Sequence, residues 1–454
     1  MCVREASGHG EDRMGRWTRR DFLTRTGALA GAAAVGLGCS GDDDTDSGSG
    51  DDDGAAGTDF DPADWDSVRA QFPLTSDLRH FAAFVFASPP RPVVDAITRY
   101  RDALAVDTHG ALDEHAGQEE AVRAAAADYL GADPAEVALT DSTTMGLGLV
   151  YSGLELGRGA EVVTTEHDFF ATHESLRLRT TRDGTAVRRI TLYDDPATAS
   201  ADEIVGRFLE GITDATRVAA VTWVHSGTGV KLPIAQMGAA LEGINTNRDE
   251  ADRVLLCVDG VHGFGLEPVN ADDLRCDFLV SGTHKWLFGP HGTGVVWGRP
   301  TAWGRLDPIF ASFSSPAPPD DPGGPQTPGQ LSTPGGYHSF EQRWALDEAF
   351  KFHAAIGKEA IAAQTSLQAT MLKQGLAEID GVDLVTPVDP SLSAGIVCVD
   401  IPGGDPFSLI APLREAGIVA TITPYDVPYL RFGPSIATTP DDVDALVATL
   451  PDLL

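Results

Sequence analysis

The sequence predicts an α/β fold, with a large domain on a mostly parallel sheet and a smaller C-terminal α+β domain. Short, continuously apolar runs at 137–140, 161–164, 218–224, 254–258, 278–280 and 294–297 end abruptly in small or polar residues. Strands covered on both faces read this way. Helical patterns at 118–130, 201–212 and 234–241 lie between them, and that alternation is the signature of a parallel sheet. A Pro/Gly/Ser-rich crossing at 307–334 follows, then a helix at 343–356 and strand candidates at 394–400 and 429–432. The expected boundaries are 1–38 for an export signal, 39–66 for a disordered acidic linker, 67–334 for the large domain, and 335–454 for a connecting helix and the small domain.

Composition narrows the function. Of 454 residues, 42% are hydrophobic and 22% charged, which excludes a disordered or polytopic membrane protein. The net charge of −34 excludes nucleic acid and anionic lipid as main partners, because so negative a surface repels them. Lysine occurs only at Lys231, Lys285, Lys351, Lys358 and Lys373, so a lysine in an apolar setting stands out. The five cysteines have no CxxC spacing, so neither a zinc site nor a disulfide framework is implied.

The N-terminal region reads as an address. WTRRDFLT begins at Trp17 and precedes an Ala/Gly-rich run at 27–38, too short to span a bilayer. This resembles a twin-arginine export signal, which implies a periplasmic or cell-envelope location. Translation starts at Met1 or Met14. Cys39, in GLGCSG, resembles a lipid-acceptor cysteine, although Gly36 stands where leucine is usual. Residues 42–66 are rich in Asp, Gly and Ser and can bury almost nothing.

Ligands of open α/β sheets collect at the carboxyl ends of strands. After the run at 137–140 come Ser142, Thr143 and Thr144 at a helix start, where hydroxyls and free N–H groups suit a phosphate. Asp259 follows the run at 254–258, and a carboxylate there needs a cation to stay charged. His262 lies one turn on. After 278–280 the chain reads SGTHKWLFGPHGTG, which sets Lys285 between His284 and an apolar run, the setting of an amine nucleophile. Taken singly, each has an ordinary explanation: a helix cap, a turn cap, a surface lysine. Together they supply the three parts that pyridoxal phosphate needs: a phosphate grip, a carboxylate for the ring nitrogen and an amine for the aldehyde. No GxGxxG opens a helix after a strand, no GxxxxGK[ST] occurs, and HESLR at His173 is not HExxH. Neither nucleotide nor metal is indicated.

The series EAVRAAAADYLGADPAEVALTDSTTMG, TTEHDFFATHESLR, VTWVHSGTGVKLP, LLCVDGVHGFG, SGTHKWLFGPHGTG and LRFGPSIATTPDDVDAL resembles the class V aminotransferases, PLP-dependent enzymes of fold type I, nearest the isopenicillin-N-epimerase-like branch. It covers about residues 72–450. The resemblance implies Lys285 as the cofactor's covalent anchor, Asp259 as partner of its pyridine nitrogen and His167 as the ring stacked on it. It implies Thr143, Thr144, Ser281 and His284 around the phosphate, beside the Ser142 that the helix start already offered, and His262 near the ring oxygen. Ser226 stands where relatives have asparagine. Arg431 matches the arginine that receives the substrate carboxylate, and Ala83 and Phe84, in FAAFVFASPP, line the substrate side. The loop at 336–339 would enter a partner's site, so a homodimer is expected.

The implied chemistry lies at the amino group or α-carbon of an amino acid, or of an amino-acid moiety in an exported peptide or metabolite. Transamination or a related modification is expected, with epimerisation or β-elimination (C–S lysis) as alternatives on the same site. A non-catalytic binding protein on the same fold is the further alternative. Desulfuration by a cysteine nucleophile is disfavoured, because no cysteine lies between Asp400 and Arg431 and Cys398 sits inside an apolar strand pattern.

Overall fold

The computed structural model describes residues 60–313 and 326–454. The expected export signal, Cys39, the alternative starts and the linker up to residue 59 lie outside the described residues. Residues 60–66, assigned by composition to the linker, are packed. Phe60 stacks on Phe352 with ring centroids 5.3 Å apart, and Asp64 caps the helix Trp65–Ala70 by accepting from the Asp66 N–H. Acidic composition misleads here because an aspartate at an N-cap belongs to the helix it starts.

The strands, in chain order, are β1 (Arg79–His80), β2 (Val137–Thr140), β3 (Glu161–Thr165), β4 (Ala186–Ile190), β5 (Thr216–Thr222), β6 (Leu255–Asp259), β7 (Phe278–Gly282), β8 (Gly294–Gly298), β9 (Asp383–Leu384), β10 (Val397–Asp400), β11 (Ile418–Val419), β12 (Thr421–Ile422) and β13 (Leu430–Phe432). Seven form the main sheet in the order β2-β8-β7-β6-β5-β3-β4. β4, β3, β5, β6 and β7 are mutually parallel, and β8 runs antiparallel to both β7 and β2. Successive residues alternate between two apolar cores. Val218, Ala220, Leu255, Cys257, Phe278 and Val280 face one, while Ala219, Val221, Leu256, Val258 and Leu279 face the other. Each large side chain so buried contributes about 1.5–3 kcal/mol, and this two-faced burial is why the strands read as unbroken apolar runs.

β4 escapes that reading. It is one of the sheet's two edge strands, its residues are half-buried or exposed, and Arg188 pairs with Glu161 at 3.0 Å. The predicted helix at 343–356 is two helices, Phe340–Trp344 and Leu346–Ile356. The 20-residue helix Lys358–Ala377 then starts after Gly357, whose φ of 95° suits glycine.

The C-terminal sheet has the order β12-β13-β10-β9, all neighbours antiparallel. β1 pairs parallel with β11, and Ala82 bridges to Gly433. The segment after β1 is thereby sewn to the chain beyond β13, which carries residues 83–86 to Arg431. Among the described residues no helix is long and apolar enough to cross a membrane.

Candidate active site

The parallel strands β3, β5, β6 and β7 end on one edge of the sheet, and the loops leaving them converge there. Asp259 closes β6 and is 1% exposed. Its Oδ1 accepts the Val261 N–H at 3.1 Å, and among the described residues no cation lies within ion-pair distance of it. Burial pushes its carboxyl up to about 6, with Lys285 and the Val261 N–H opposing and Asp168 adding. Lys285 is half-buried on the turn after β7. Burial pushes its ammonium down to about 8, Asp259 opposes the shift, and Arg431 adds to it. Its Nζ lies 3.5 Å from His262 Nε2, a long contact. The turn is held rigidly: the Phe288 N–H reaches the Lys285 carbonyl at 3.0 Å, and Phe288 takes φ 54°, costing roughly 1–2 kcal/mol. Burial of Trp286, Leu287 and Phe288 in the core offsets that strain.

Beyond β2 the helix Thr143–Gly153 begins. The Ser142 hydroxyl accepts the Met145 N–H at 3.1 Å and so caps the helix. Ser142 was expected at the phosphate; the cap engages its oxygen as acceptor and, as at Thr143, leaves its own proton available. Thr143 Oγ1 accepts the Gly282 N–H at 2.7 Å and keeps its own proton free. Thr144 is exposed at the helix start. Ser281 is corrected: wholly buried, its hydroxyl donates to the Gly282 carbonyl at 2.8 Å. A Cβ at Gly282 would stand 3.0 Å from both His284 Cε1 and Thr143 Oγ1. Glycine therefore keeps open the corner where the helix N-terminus, Thr143 and His284 meet. His284 Nδ1 is buried there without a partner, and burial, then Lys285, hold its ring down to about 4.

His167 follows β3 and lies against Tyr193, with ring centroids 4.0 Å and planes 10° apart. Its neighbour Asp168 accepts from Thr164 Oγ1, the Thr165 N–H and the Thr222 N–H, each at 2.7 Å. One buried carboxylate thus ties the end of β3 to the end of β5 and fixes the His167 loop. His262 is buried with Nδ1 unpartnered, and burial, then Lys285, hold its ring well below the usual range.

Arg431 enters from β13. Its Nη1 donates to the Ser226 carbonyl at 2.9 Å and its Nε to Thr421 Oγ1 at 3.1 Å. The guanidinium lies 4.7 Å above the Phe84 ring. No carboxylate pairs with it among the described residues, although it is buried. The Ser226 hydroxyl is engaged with Tyr425 Oη at 2.7 Å, so Ser226 braces Arg431 and is not an open cofactor ligand. Phe84 is wholly buried beneath Arg431 and Ala83 belongs to a separate apolar cluster. Neither is an open lining residue. In this segment the exposed side chains are Val85 and Phe86, and Phe86 stacks on His291 with ring centroids 3.7 Å apart.

The donor set fits pyridoxal phosphate. A buried carboxylate without a cation would hold a protonated ring nitrogen, the open corner at Gly282 would take a phosphate, and a desolvated amine faces an aldehyde. An unpaired arginine completes the set with a place for a carboxylate. Sequence reasoning missed Asp168, Tyr193 and His225. Asp168 could have been found beside His167 in TEHD, whereas only tertiary contact brings Tyr193 and His225 to the site.

Comparison with known proteins places this geometry. The family model for aminotransferase class-V matches residues 87–423. Isopenicillin N epimerase of Streptomyces clavuligerus is 27% identical, over 86% of this chain and 98% of that protein. A cysteine desulfurase of Yersinia pestis is 26% identical, over 84% and 96% respectively. Among solved structures, the cystine C–S lyase C-DES with cysteine persulfide superposes with a TM-score of 0.77 at 21% identity, covering 84% of this chain and 99% of that one. A C-DES variant carrying glycine linked to its PLP cofactor matches equally, at 0.77 and 20% identity, covering 85% and 99%. The fold is thus that of PLP-dependent class V enzymes, and the family and fold together indicate pyridoxal 5′-phosphate as the cofactor. With a family model spanning well over half of its length, the chain belongs to the aminotransferase class-V family.

Proposed function

We propose that this chain is a pyridoxal-phosphate enzyme acting at the α-carbon or amino group of an amino acid, free or within a peptide or metabolite. One observation carries the reading: Lys285, Asp259 and Arg431, three buried or half-buried charges, share a single site without ion-pair partners among the described residues. Pyridoxal phosphate, when bound, withdraws electrons from the α-carbon of an amino acid joined to it. Lys285 Nζ would hold the cofactor's aldehyde and, as a free amine, is the group placed to take and return a proton at the substrate α-carbon. Asp259 keeps a proton on the ring nitrogen. Thr143, Thr144, His284 and the helix N-terminus hold the phosphate. Arg431 receives the substrate carboxylate, with the bidentate fork suited to it.

Transamination is the expected outcome. Epimerisation is the second reading, favoured by the isopenicillin N epimerases among the relatives. Attack by a cysteine has little support, because Cys398 is wholly buried on β10 and burial pushes its thiol up to about 12. The proposal includes a homodimer around the loop at 336–339, where Tyr337 is 84% exposed and its ring meets exposed Phe313 at 5.8 Å. It also includes twin-arginine export, which carries folded proteins with the cofactor loaded.

The test is the visible absorbance of the purified chain before and after borohydride, with peptide mapping of the pyridoxyl adduct. An adduct on Lys285 supports the reading, and a screen for keto-acid, epimer or pyruvate products then separates the reactions. Absence of any band after adding pyridoxal phosphate sinks it. Asp259→Asn should retain the adduct yet lose about 10²–10⁴-fold in turnover.

A further inference from the structure

His167 is backed by a cluster that no step above uses. Tyr193 is wholly buried and lies flat against His167. Its hydroxyl is shared between His225 Nδ1 at 2.8 Å and Thr228 Oγ1 at 2.9 Å. His225, also wholly buried, stands 5.3 Å from His167 ring to ring, tilted by 33°. Nε2 of both histidines is buried without a partner. Held at two points, Tyr193 cannot turn without giving up both hydrogen bonds, so the face it presents sets the plane of His167.

We propose that Tyr193 and His225 are positioning residues that set the ring plane of His167 and keep that ring uncharged against the cofactor. The functional half of this rests on the pyridoxal-phosphate reading, whereas the geometry stands without it. A pyridine ring protonated opposite Asp259 carries positive charge. An imidazolium pressed onto it would be repelled, while a neutral aromatic face attracts a cation. The groups facing His167 come from four elements. Glu166 and Asp168, on its own segment, favour a proton on it. Arg207, on the helix Ala201–Glu210, opposes one; His225, after β5, is itself held uncharged by burial and then by His167, and Tyr193 covers a face. The oxygens of Asp168 are already occupied by Thr164, Thr165 and Thr222. A proton arriving at either orphan Nε2 would find no acceptor, and burial holds His167 below the usual histidine range.

The experiment follows the imidazole signals of the full chain by NMR from pH 5 to 8, without and then with pyridoxal phosphate. His167→Gln serves only to assign the signal. In the unaltered chain the His167 signal should titrate only below the ordinary histidine range. In Tyr193→Leu it should titrate near the ordinary histidine value of about 6.5. The cofactor's Kd should then rise about tenfold, worth ~1.4 kcal/mol, and rise further as the pH falls below that midpoint. His225→Ala should raise Kd about threefold. His225→Asn, whose amide can replace the Nδ1 hydrogen bond, should return it to within about twofold.

A His167 that titrates near 6.5 in the unaltered chain overturns the proposal. So does a Tyr193→Leu chain with a lower Tm but unchanged, pH-independent cofactor affinity, which is what a merely structural role would produce. If Tyr193→Leu does not fold, Tyr193→Phe decides, because it keeps the ring and removes both hydroxyl bonds. A Kd raised about threefold supports the proposal and an unchanged one overturns it. Failure of the unaltered chain to bind the cofactor would count against the cofactor reading, and the cofactor-free titration would then decide the positioning alone.

Discussion

Lys285 and Lys373 both lie in apolar surroundings, and burial pushes both ammonium groups down to about 8. Their contacts differ. Lys373, on the helix Lys358–Ala377 and 1% exposed, donates to Pro387 O at 3.1 Å, Val388 O at 2.8 Å and Ser393 Oγ at 2.7 Å. All three of its protons are placed, and it fastens the 387–393 loop to the helix. Among the described residues Lys285 has only the long contact to His262, with Asp259 and Arg431 acting on it through space. The same depressed basicity accompanies a structural tie in one place and, in the other, the amine to which the proposed function gives the reaction. What separates them is whether the protons have partners.

Exchanging the roles of the two lysines should give the largest effect. Lys285→Ala should abolish the borohydride-stable adduct and lower turnover by about 10²–10⁴-fold while leaving the fold intact. Lys373→Met should keep the adduct and the turnover per folded molecule but cost about 2–4 kcal/mol in a denaturant melt, because buried acceptors lose their donor. An adduct lost from Lys373→Met, with normal stability, would break the comparison.

Arg431→Met extends the contrast to the third unpaired charge. Affinity for an α-amino carboxylate should fall by about 2–3 kcal/mol, read from KM or from quenching of the cofactor band. Stability should move by less than about 1 kcal/mol, because relief of a buried cation offsets the lost bonds to Ser226 and Thr421. A large loss of stability with unchanged affinity would make Arg431 a structural residue like Lys373.

The pH dependence of cofactor uptake sharpens the comparison. An ammonium cannot attack an aldehyde, so uptake should rise with pH and level off above about 8, where the Lys285 amine is neutral. At pH 6 the rate should be about 100-fold below the plateau. Stopped-flow absorbance measures this, and a midpoint near the unperturbed value of about 10.4 would show an amine that is not desolvated. The smallest effect belongs to Ser142→Ala, which should cost about 1 kcal/mol of stability through the lost cap.

The legible part of this protein follows from local rules. Strands buried on both faces must be apolar throughout, so β2, β3, β5, β6, β7 and β8 stand out in one dimension, to within two residues at either end. β4 does not, because its residues are half-buried or exposed and include Arg188 and Arg189, whereas β2, at the opposite edge, is buried throughout. Lys285 and Asp259 were legible because they interrupt apolar runs at strand ends. Ser281 misled for the complementary reason: a hydroxyl at a strand end looks the same whether it awaits a phosphate or donates to its own backbone.

By itself, then, the sequence determined the order of the strands along the chain, the two charged residues at their ends and the match of Arg431 to a carboxylate-binding arginine. Tertiary structure decided which polar groups remain free. Arg431 finds no acid among the described residues, Ser226 is taken by Tyr425, and Phe84 goes beneath the guanidinium because β1 pairs with β11. It also set Tyr193 and His225 behind His167. Periodicity and chain breaks are properties of neighbours in sequence and can be read from them. The partner of a buried side chain is set by segments tens to hundreds of residues away, and reactivity at this site depends on which partners are absent.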